Sequence, residues 1–204
     1  MARLTMTTFL SLDGVMQAPG GPAEDRSGDF KLGGWLVPFA DEVMGKLVTQ
    51  WFREADAFLL GRGTYEIFAA HWPRVTDPTD GVATALNERP KYVVSRRLEH
   101  AAWKGTTIVR DVVDTVRELK QRYQREVQVH GSAGLAQTLI KHGLVDEYRL
   151  WLYPVILGKG KRLFGEGAVP SALELIETCT TSTGVVVAVY RPDGKPRHGN
   201  FTFD

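Results

Sequence analysis

The sequence predicts an α/β fold. Three layers, α/β/α, are expected around a mixed, mostly parallel sheet, with an antiparallel strand pair at the C-terminal end. Three observations carry this reading. Short β-rich apolar runs alternate with helical patterns through the middle of the chain, which is the signature of parallel strands joined by crossover helices. Several of those runs end in Gly- and Ser-containing turns. After residue 170 two alternating runs follow one another with no helix between them, as an antiparallel pair would.

Taken in order, residues 3–12, "RLTMTTFLSL", form the first expected strand. The next stretch, to residue 35, is rich in Gly, Pro and charge and reads as a long loop, which in a compact domain is often functional. Residues 41–54 form a helix: Asp41 is a plausible N-cap, and Val43, Leu47, Val48, Trp51 and Phe52 share a face. "DAFLLG", 56–61, is a short strand, and "TYEIFAAHW", 64–72, a helix stopped by Pro73. Residues 74–90 read as loop. "KYVVS" and "TTIV" are strands. Residues 111–124 form a helix capped by Asp111, with Val116 and Leu119 on its apolar face. "EVQVHG" is a strand, and "SAGLAQTLIKH" a helix closed by Gly143, with Lys141 and His142 in the turn where the helix dipole favours positive charge. Residues 145–153 are a strand, 154–167 a Gly-rich loop, and 172–181 and 184–192 the terminal pair. The polar tail from Asp193 is expected to be mobile or packed on the surface. No linker divides the chain, so residues 1–204 are expected to be a single domain.

The 204 residues are 43% hydrophobic and 24% charged, ordinary for a soluble globular protein. The formal net charge of +1 gives no electrostatic footprint for nucleic acid. No apolar stretch approaches the roughly 18 residues of a membrane span, and the N-terminus lacks the apolar core of a signal peptide. A cytoplasmic protein with no membrane or nucleic-acid partner is expected. Cys179 is the only cysteine, in a strand-like setting without a neighbouring His, and reads as a structural thiol. No His or Cys spacing suits a metal.

Ligands of open α/β sheets bind beyond the carboxyl ends of the strands. Three expected strands end in informative turns: Gly61-Arg62-Gly63-Thr64, Ser95-Arg96-Arg97 and Gly131-Ser132-Ala133-Gly134-Leu135. Two of them open helices, whose first N–H groups attract anions. Gly admits a phosphate close to the backbone, Ser and Thr add hydroxyls, and Arg adds a fixed charge. Singly, each has a plain explanation: Ser132 or Thr64 as an N-cap, Arg96 and Arg97 as solvated charges. Together they suit a ligand with two separated phosphate groups, such as NADPH. A G-x-G-x-x-G fingerprint after the first strand is missing, and "GKGKRLFG" opens no amphipathic helix.

These pieces, with "SLDG" at 11–14, "GRGTYE" at 61–66, "VVSR" at 93–96 and the run 130–164, resemble the dihydrofolate reductase-like superfamily. The nearer likeness is to the C-terminal reductase domain of the riboflavin-synthesis deaminase-reductase, over nearly the whole chain. The resemblance implies an NADPH-dependent oxidoreductase acting on a pteridine- or pyrimidine-like heterocycle, after the manner of dihydrofolate reductase and 5-amino-6-(5-phosphoribosylamino)uracil reductase, and a homodimer. It places Gly61, Arg62 and Thr64 near the cofactor phosphates, Ser95 and Arg96 at the 2′-phosphate, and Gly131, Ser132, Ala133, Gly134 and Leu135 at the diphosphate. It gives Asp13 a catalytic or substrate-binding role, against the alternative of a turn-forming Asp-Gly pair. It puts Pro154, Leu157 and Gly158 near the reacting end of the cofactor and the substrate. Two departures stand out. Ser132 occupies a position where the family often has a second Gly, and Asp41 and Glu42 do not match the spacing of the folate-reductase carboxylate. Asp146 and Glu147 read as structural. A nucleotide-binding protein without chemistry on the same scaffold is the alternative.

Overall fold

A computed structural model describes residues 1–165 and 168–201. The strands are β1 (Arg3–Ser11), β2 (Ala55–Gly61), β3 (Lys91–Val94), β4 (Thr106–Val109), β5 (Glu126–His130), β6 (Glu147–Tyr153), β7 (Leu173–Thr180) and β8 (Val186–Pro192). They form one sheet in the order β4-β3-β2-β5-β1-β6-β8-β7. The first six run parallel, while β8 returns antiparallel against β6 and β7 against β8. The helices are α1 (Glu42–Glu54), α2 (Arg62–His71), α3 (Gly81–Glu88), α4 (Val112–Arg122) and α5 (Ala133–Lys141).

Strand alternation sends successive side chains to opposite faces. Leu4, Met6 and Leu10 of β1 pack with Leu119 of α4 and Leu139 of α5 on one face. On the other, Phe9 packs with Trp51 of α1, Trp151 and Tyr153, while Phe58 and Leu60 of β2 meet Ala85 and Leu86 of α3. The inner strands are therefore buried on both sides, as parallel strands covered by crossover helices must be.

The helix starts follow their caps. Asp41 accepts from the Met44 N–H at 2.8 Å and Asp111 from the Asp114 N–H at 2.9 Å. Gly143, at φ +60, closes α5, and its N–H donates to the Ile140 carbonyl. Two expectations are corrected. Residues 74–90 are not all loop: α3 lies within them, its start held by Asp80, which accepts from the Val82 and Ala83 N–H groups. The helix has eight residues, opens with Gly81 and is bracketed by prolines, so its apolar repeat is too short to read. Val43 is 42% exposed, because Met44 and Val48, not Val43, turn with Trp51 toward the sheet.

A buried ion cluster underlies α1. The Arg149 guanidinium donates to both carboxylate oxygens of Glu126 at 3.1 and 2.9 Å and to Glu147 at 3.0 Å, and lies over the Trp51 ring. Glu147 and Asp146, which accepts from the Leu4 N–H, have structural partners, as their place in the sequence suggests. Cys179 is exposed on the edge strand β7. Among the described residues no helix is long and apolar enough to cross a membrane. The end of the polar tail, 202–204, lies outside the described residues.

Candidate functional site

A cavity of about 1100 Å³ opens at the carboxyl ends of β1, β2, β3 and β5. The structure brings all three turns to it: Gly61, Arg62 and Thr64; Ser95 and Arg96; and Gly131, Ser132, Ala133, Gly134 and Leu135.

The first and third turns are tied together by Ser132. Its backbone is left-handed at φ +63, directly after Gly131 at φ +58. That geometry turns the hydroxyl away from its own helix. Oγ instead accepts from the Gly61 N–H at 3.0 Å and lies 2.5 Å from Thr64 Oγ1. A Cβ on Gly61 would stand 2.6 Å from this Oγ, so Gly61 makes the room that Ser132 occupies. Ser132 is not a plain N-cap: no side chain caps α5 or α2. Their first N–H groups have no intrahelical partner and remain free to bind an anion. A Cβ at Gly134 or Gly63 would meet nothing, so both helix starts border open space.

The second turn is rigid. Ser95 Oγ accepts from the N–H groups of Arg97 at 3.2 Å and Leu98 at 2.9 Å, and the Arg110 guanidinium donates to the Ser95 and Leu98 carbonyls. Arg62 pairs with Glu66. Arg96 has no ion-pair partner among the described residues and borders the cavity as an uncommitted charge.

The structure does not bring Asp13, Pro154, Leu157 or Gly158 to the cavity wall. The Asp13 carboxylate accepts from the Leu157 N–H at 3.0 Å, the Gly158 N–H at 2.9 Å, the Ser11 hydroxyl at 2.7 Å and Arg162 at 3.2 Å. Those bonds, the Leu157 N–H first among them, hold its pKa far below the usual carboxylate range. Its donors hold it as a carboxylate and tie the first loop to the segment after β6. Of the residues expected near the substrate, Asp13, Leu157 and Gly158 thus meet one another outside the cavity wall, and Pro154 also lies outside it. Asp41 and Glu42 also stay outside the cavity, the first as a cap and the second paired with Lys46.

Other lining residues went unread in the sequence. Thr7 and Phe9 of β1, His130 of β5 and Val48, Trp51 and Phe52 of α1 form an aromatic section. Gln17, Glu24, Asp25 and Ser27 close the loop side with Lys161. Burial pushes Glu24 upward, against the Gly20 and Gly21 N–H groups that its carboxylate accepts. Burial, helped by the positive charge of Arg149, pushes His130 down to about 3, so its ring is neutral at physiological pH. His130 immediately precedes the Gly131 turn, and the same strand-end rule would have found it. Among the described residues no group of His, Cys, Asp or Glu is placed to hold a metal.

This geometry has counterparts. The chain is 29% identical over 194 residues to the uncharacterized protein YyaP of Bacillus subtilis (strain 168), covering 94% of this chain and 96% of that one. A Shewanella sp. PV-4 protein named for riboflavin biosynthesis shares the fold at a TM-score of 0.70 and 19% identity, over 95% of this chain and 99% of that one. The Thermotoga maritima diaminohydroxyphosphoribosylaminopyrimidine deaminase/5-amino-6-(5-phosphoribosylamino)uracil reductase matches at 0.61 and 19%, over 94% of this chain and 57% of that longer one. Enterococcus faecalis dihydrofolate reductase, in complex with NADP(H), matches at 0.60 and 14%, over 94% and 96%. At these identities the solved structures speak to the fold alone. Residues 2–187 carry the pattern of one family, and the chain belongs to it: the RibD C-terminal domain family.

Proposed function

We propose that the protein is an NADPH-dependent oxidoreductase that reduces a small pteridine- or pyrimidine-like heterocycle by hydride transfer. One observation carries this reading: two helix N-termini and an arginine, uncapped and unpaired among the described residues and coming from three different strand ends, border a single cavity. The residues fit the cofactor by shape as well as charge, since open space lies over Gly63 and Gly134, where any side chain would intrude. The N–H groups at the starts of α2 and α5, with Thr64, would hold the diphosphate. Ser95 and Arg96 would hold the 2′-phosphate, Arg96 as a charge-assisted donor. When bound, NADPH supplies the hydride, and the chain supplies positioning and electrostatics. The aromatic section formed by Phe9, Trp51 and Phe52 would hold the acceptor and exclude water from it.

Asp13 has a structural role here, tying the first loop to the Leu157–Gly158 backbone and to Arg162. The reading also takes the protein as a cytoplasmic homodimer. Leu175 and Ile176, exposed on the edge strand β7, are the surface a second copy would cover, and the mass in solution checks that pairing.

The experiment is a titration of NADPH fluorescence followed by its oxidation in the presence of reducible pteridines and pyrimidines. Saturable binding with turnover on one of them is the expected result. No saturable binding overturns the proposal, and binding without turnover on any heterocycle reduces it to a nucleotide-binding protein.

A further inference from the structure

We propose that Thr7 and His130 form the floor of a substrate slot that recognises a planar, unphosphorylated heterocycle through a lactam edge, an N–H beside a carbonyl. The inference rests on the reductase reading above and names the acceptor's chemistry.

Thr7 and His130 are register partners on the adjacent parallel strands β1 and β5, so their side chains share a face. Both line the cavity, and both are more than nine-tenths buried, at 5% and 7% exposed. The Thr7 hydroxyl has no hydrogen-bond partner among the described residues. A buried hydroxyl without a partner is costly, and a ligand group that pairs with it recovers that cost.

The tautomer of His130 follows from its neighbours. Gln128 Nε2 donates to the Trp51 carbonyl at 2.5 Å and to Glu126 Oε1. Both are acceptors, which fixes the nitrogen end of the amide. Gln128 Oε1 is then the atom 3.0 Å from His130 Nε2. A carbonyl oxygen accepts, so Nε2 carries the hydrogen. Glu126 also accepts from Arg149 through both of its oxygens, which closes the chain of assignments. Because the ring is neutral, Nδ1 is a bare lone pair, and it has no partner among the described residues. The floor therefore offers one acceptor that wants an N–H and one hydroxyl that can donate to a carbonyl.

The walls demand flatness. The Phe52 ring stacks on His130 with centroids 4.5 Å apart at 26°, and Phe9, Val48 and Trp51 border the same section. This aromatic wall favours a planar ring packed beside it.

The loop wall argues against phosphate. It contributes the carboxylates of Glu24 and Asp25, and its cation, Lys161, is already 2.6 Å from Asp25. The paired N–H groups of Gly20 and Gly21, which could cradle an anion, are filled by the chain's own Glu24 carboxylate. A phosphate on the substrate would meet like charge there.

The test uses the full chain saturated with NADP⁺ and titrates lumazine, 1,3-dimethyllumazine, uridine and uridine 5′-monophosphate by calorimetry. Lumazine is expected to bind, and its dimethyl analogue at least about tenfold more weakly, because one lost hydrogen bond strands a buried acceptor. His130→Phe, which keeps the stack, and Thr7→Val, which keeps the shape, are each expected to weaken lumazine by about tenfold or more. NADP⁺ affinity should stay within about twofold, since neither side chain is assigned to the cofactor. Thermal unfolding confirms that each variant folds, and Thr7→Val stands alone if His130→Phe does not. The proposal is overturned if lumazine does not bind, if methylation or both substitutions leave its binding unchanged, or if the monophosphate binds more tightly than uridine. Failure of NADP⁺ to bind overturns the reductase reading instead, and the same lumazine titrations on the free chain then decide the slot.

Discussion

Replacing Gly61 by Ala tests the link between the two helix starts. Gly61 has φ −75° and ψ 158°, a conformation open to any residue, so its backbone gives no reason to need glycine. The reason is Ser132. An added Cβ would lie 2.6 Å from its Oγ and 2.7 Å from its Cβ. Ser132 cannot swing aside freely, because its backbone is pinned left-handed between Gly131 and α5. Overpacking of this kind costs about 1–3 kcal/mol. The displaced hydroxyl would also lose its bond from the Gly61 N–H, about 1 kcal/mol more. The expected destabilisation is about 3 kcal/mol, offset by a few tenths from the stiffer unfolded chain. Ser132→Gly removes the obstacle. It forfeits two hydrogen bonds, about 1 kcal/mol each, but relieves a non-glycine left-handed residue worth about 1–2 kcal/mol, so alone it should be nearly neutral. The double variant should regain most of the stability lost in Gly61→Ala, giving a coupling of about 2 kcal/mol or more. Urea denaturation of the four proteins measures this. Additivity within about 0.5 kcal/mol would refute the account of why glycine stands at 61.

Three further outcomes are expected. Gly134→Ala should fold at least as well as the parent, by up to about 1 kcal/mol, because its methyl meets no protein atom, yet it should lose much of the NADPH-induced rise in Tm, since that methyl enters the cofactor's space. Asp13→Asn should cost about 2 kcal/mol of stability by leaving N–H donors without a charged acceptor, while NADPH affinity stays nearly unchanged; unchanged stability with lost turnover would return Asp13 to the substrate. His130 is held at about 3 in the fold, against about 6.5 in an unfolded chain. A depressed folded pKa means that the unfolded state gains the proton first as pH falls, so the stability it contributes is present above pH 6.5 and lost below it, by about 2 kcal/mol at pH 5. His130→Phe should remove that part of the acid sensitivity, and an unaltered pH profile of unfolding would contradict it.

Much of this was legible in the chain. Parallel strands covered on both faces show as apolar runs such as "DAFLLG" and "EVQVHG", and Asp41 and Asp111 announce the helices they cap. The three turns could be found because the ligand rule for open sheets points at strand ends, and the ends of β2, β3 and β5 carry Gly, Ser and Arg. What escaped depends on tertiary pairing. α3 is too short to show a period, and its burial against Phe58 is decided by the sheet. The carboxylate of Asp13 is met by the Leu157 and Gly158 N–H groups, 144 and 145 residues away. Ser132 resembles an N-cap until its φ is known, and then it belongs to the neighbouring turn. Thr7 and His130 become a pair only through the register of β1 on β5.

The central claim is that the three turns hold NADPH, with Arg96 at its 2′-phosphate. The most direct measurement is the ratio of NADPH to NADH affinity, by fluorescence titration of the parent and of Arg96→Ala. The account predicts a marked preference for NADPH in the parent. A charge-assisted bond contributes about 1.5–3 kcal/mol, so Arg96→Ala should narrow that preference by roughly tenfold or more while NADH affinity holds. A parent that binds both equally, or a preference untouched by the substitution, would contradict it.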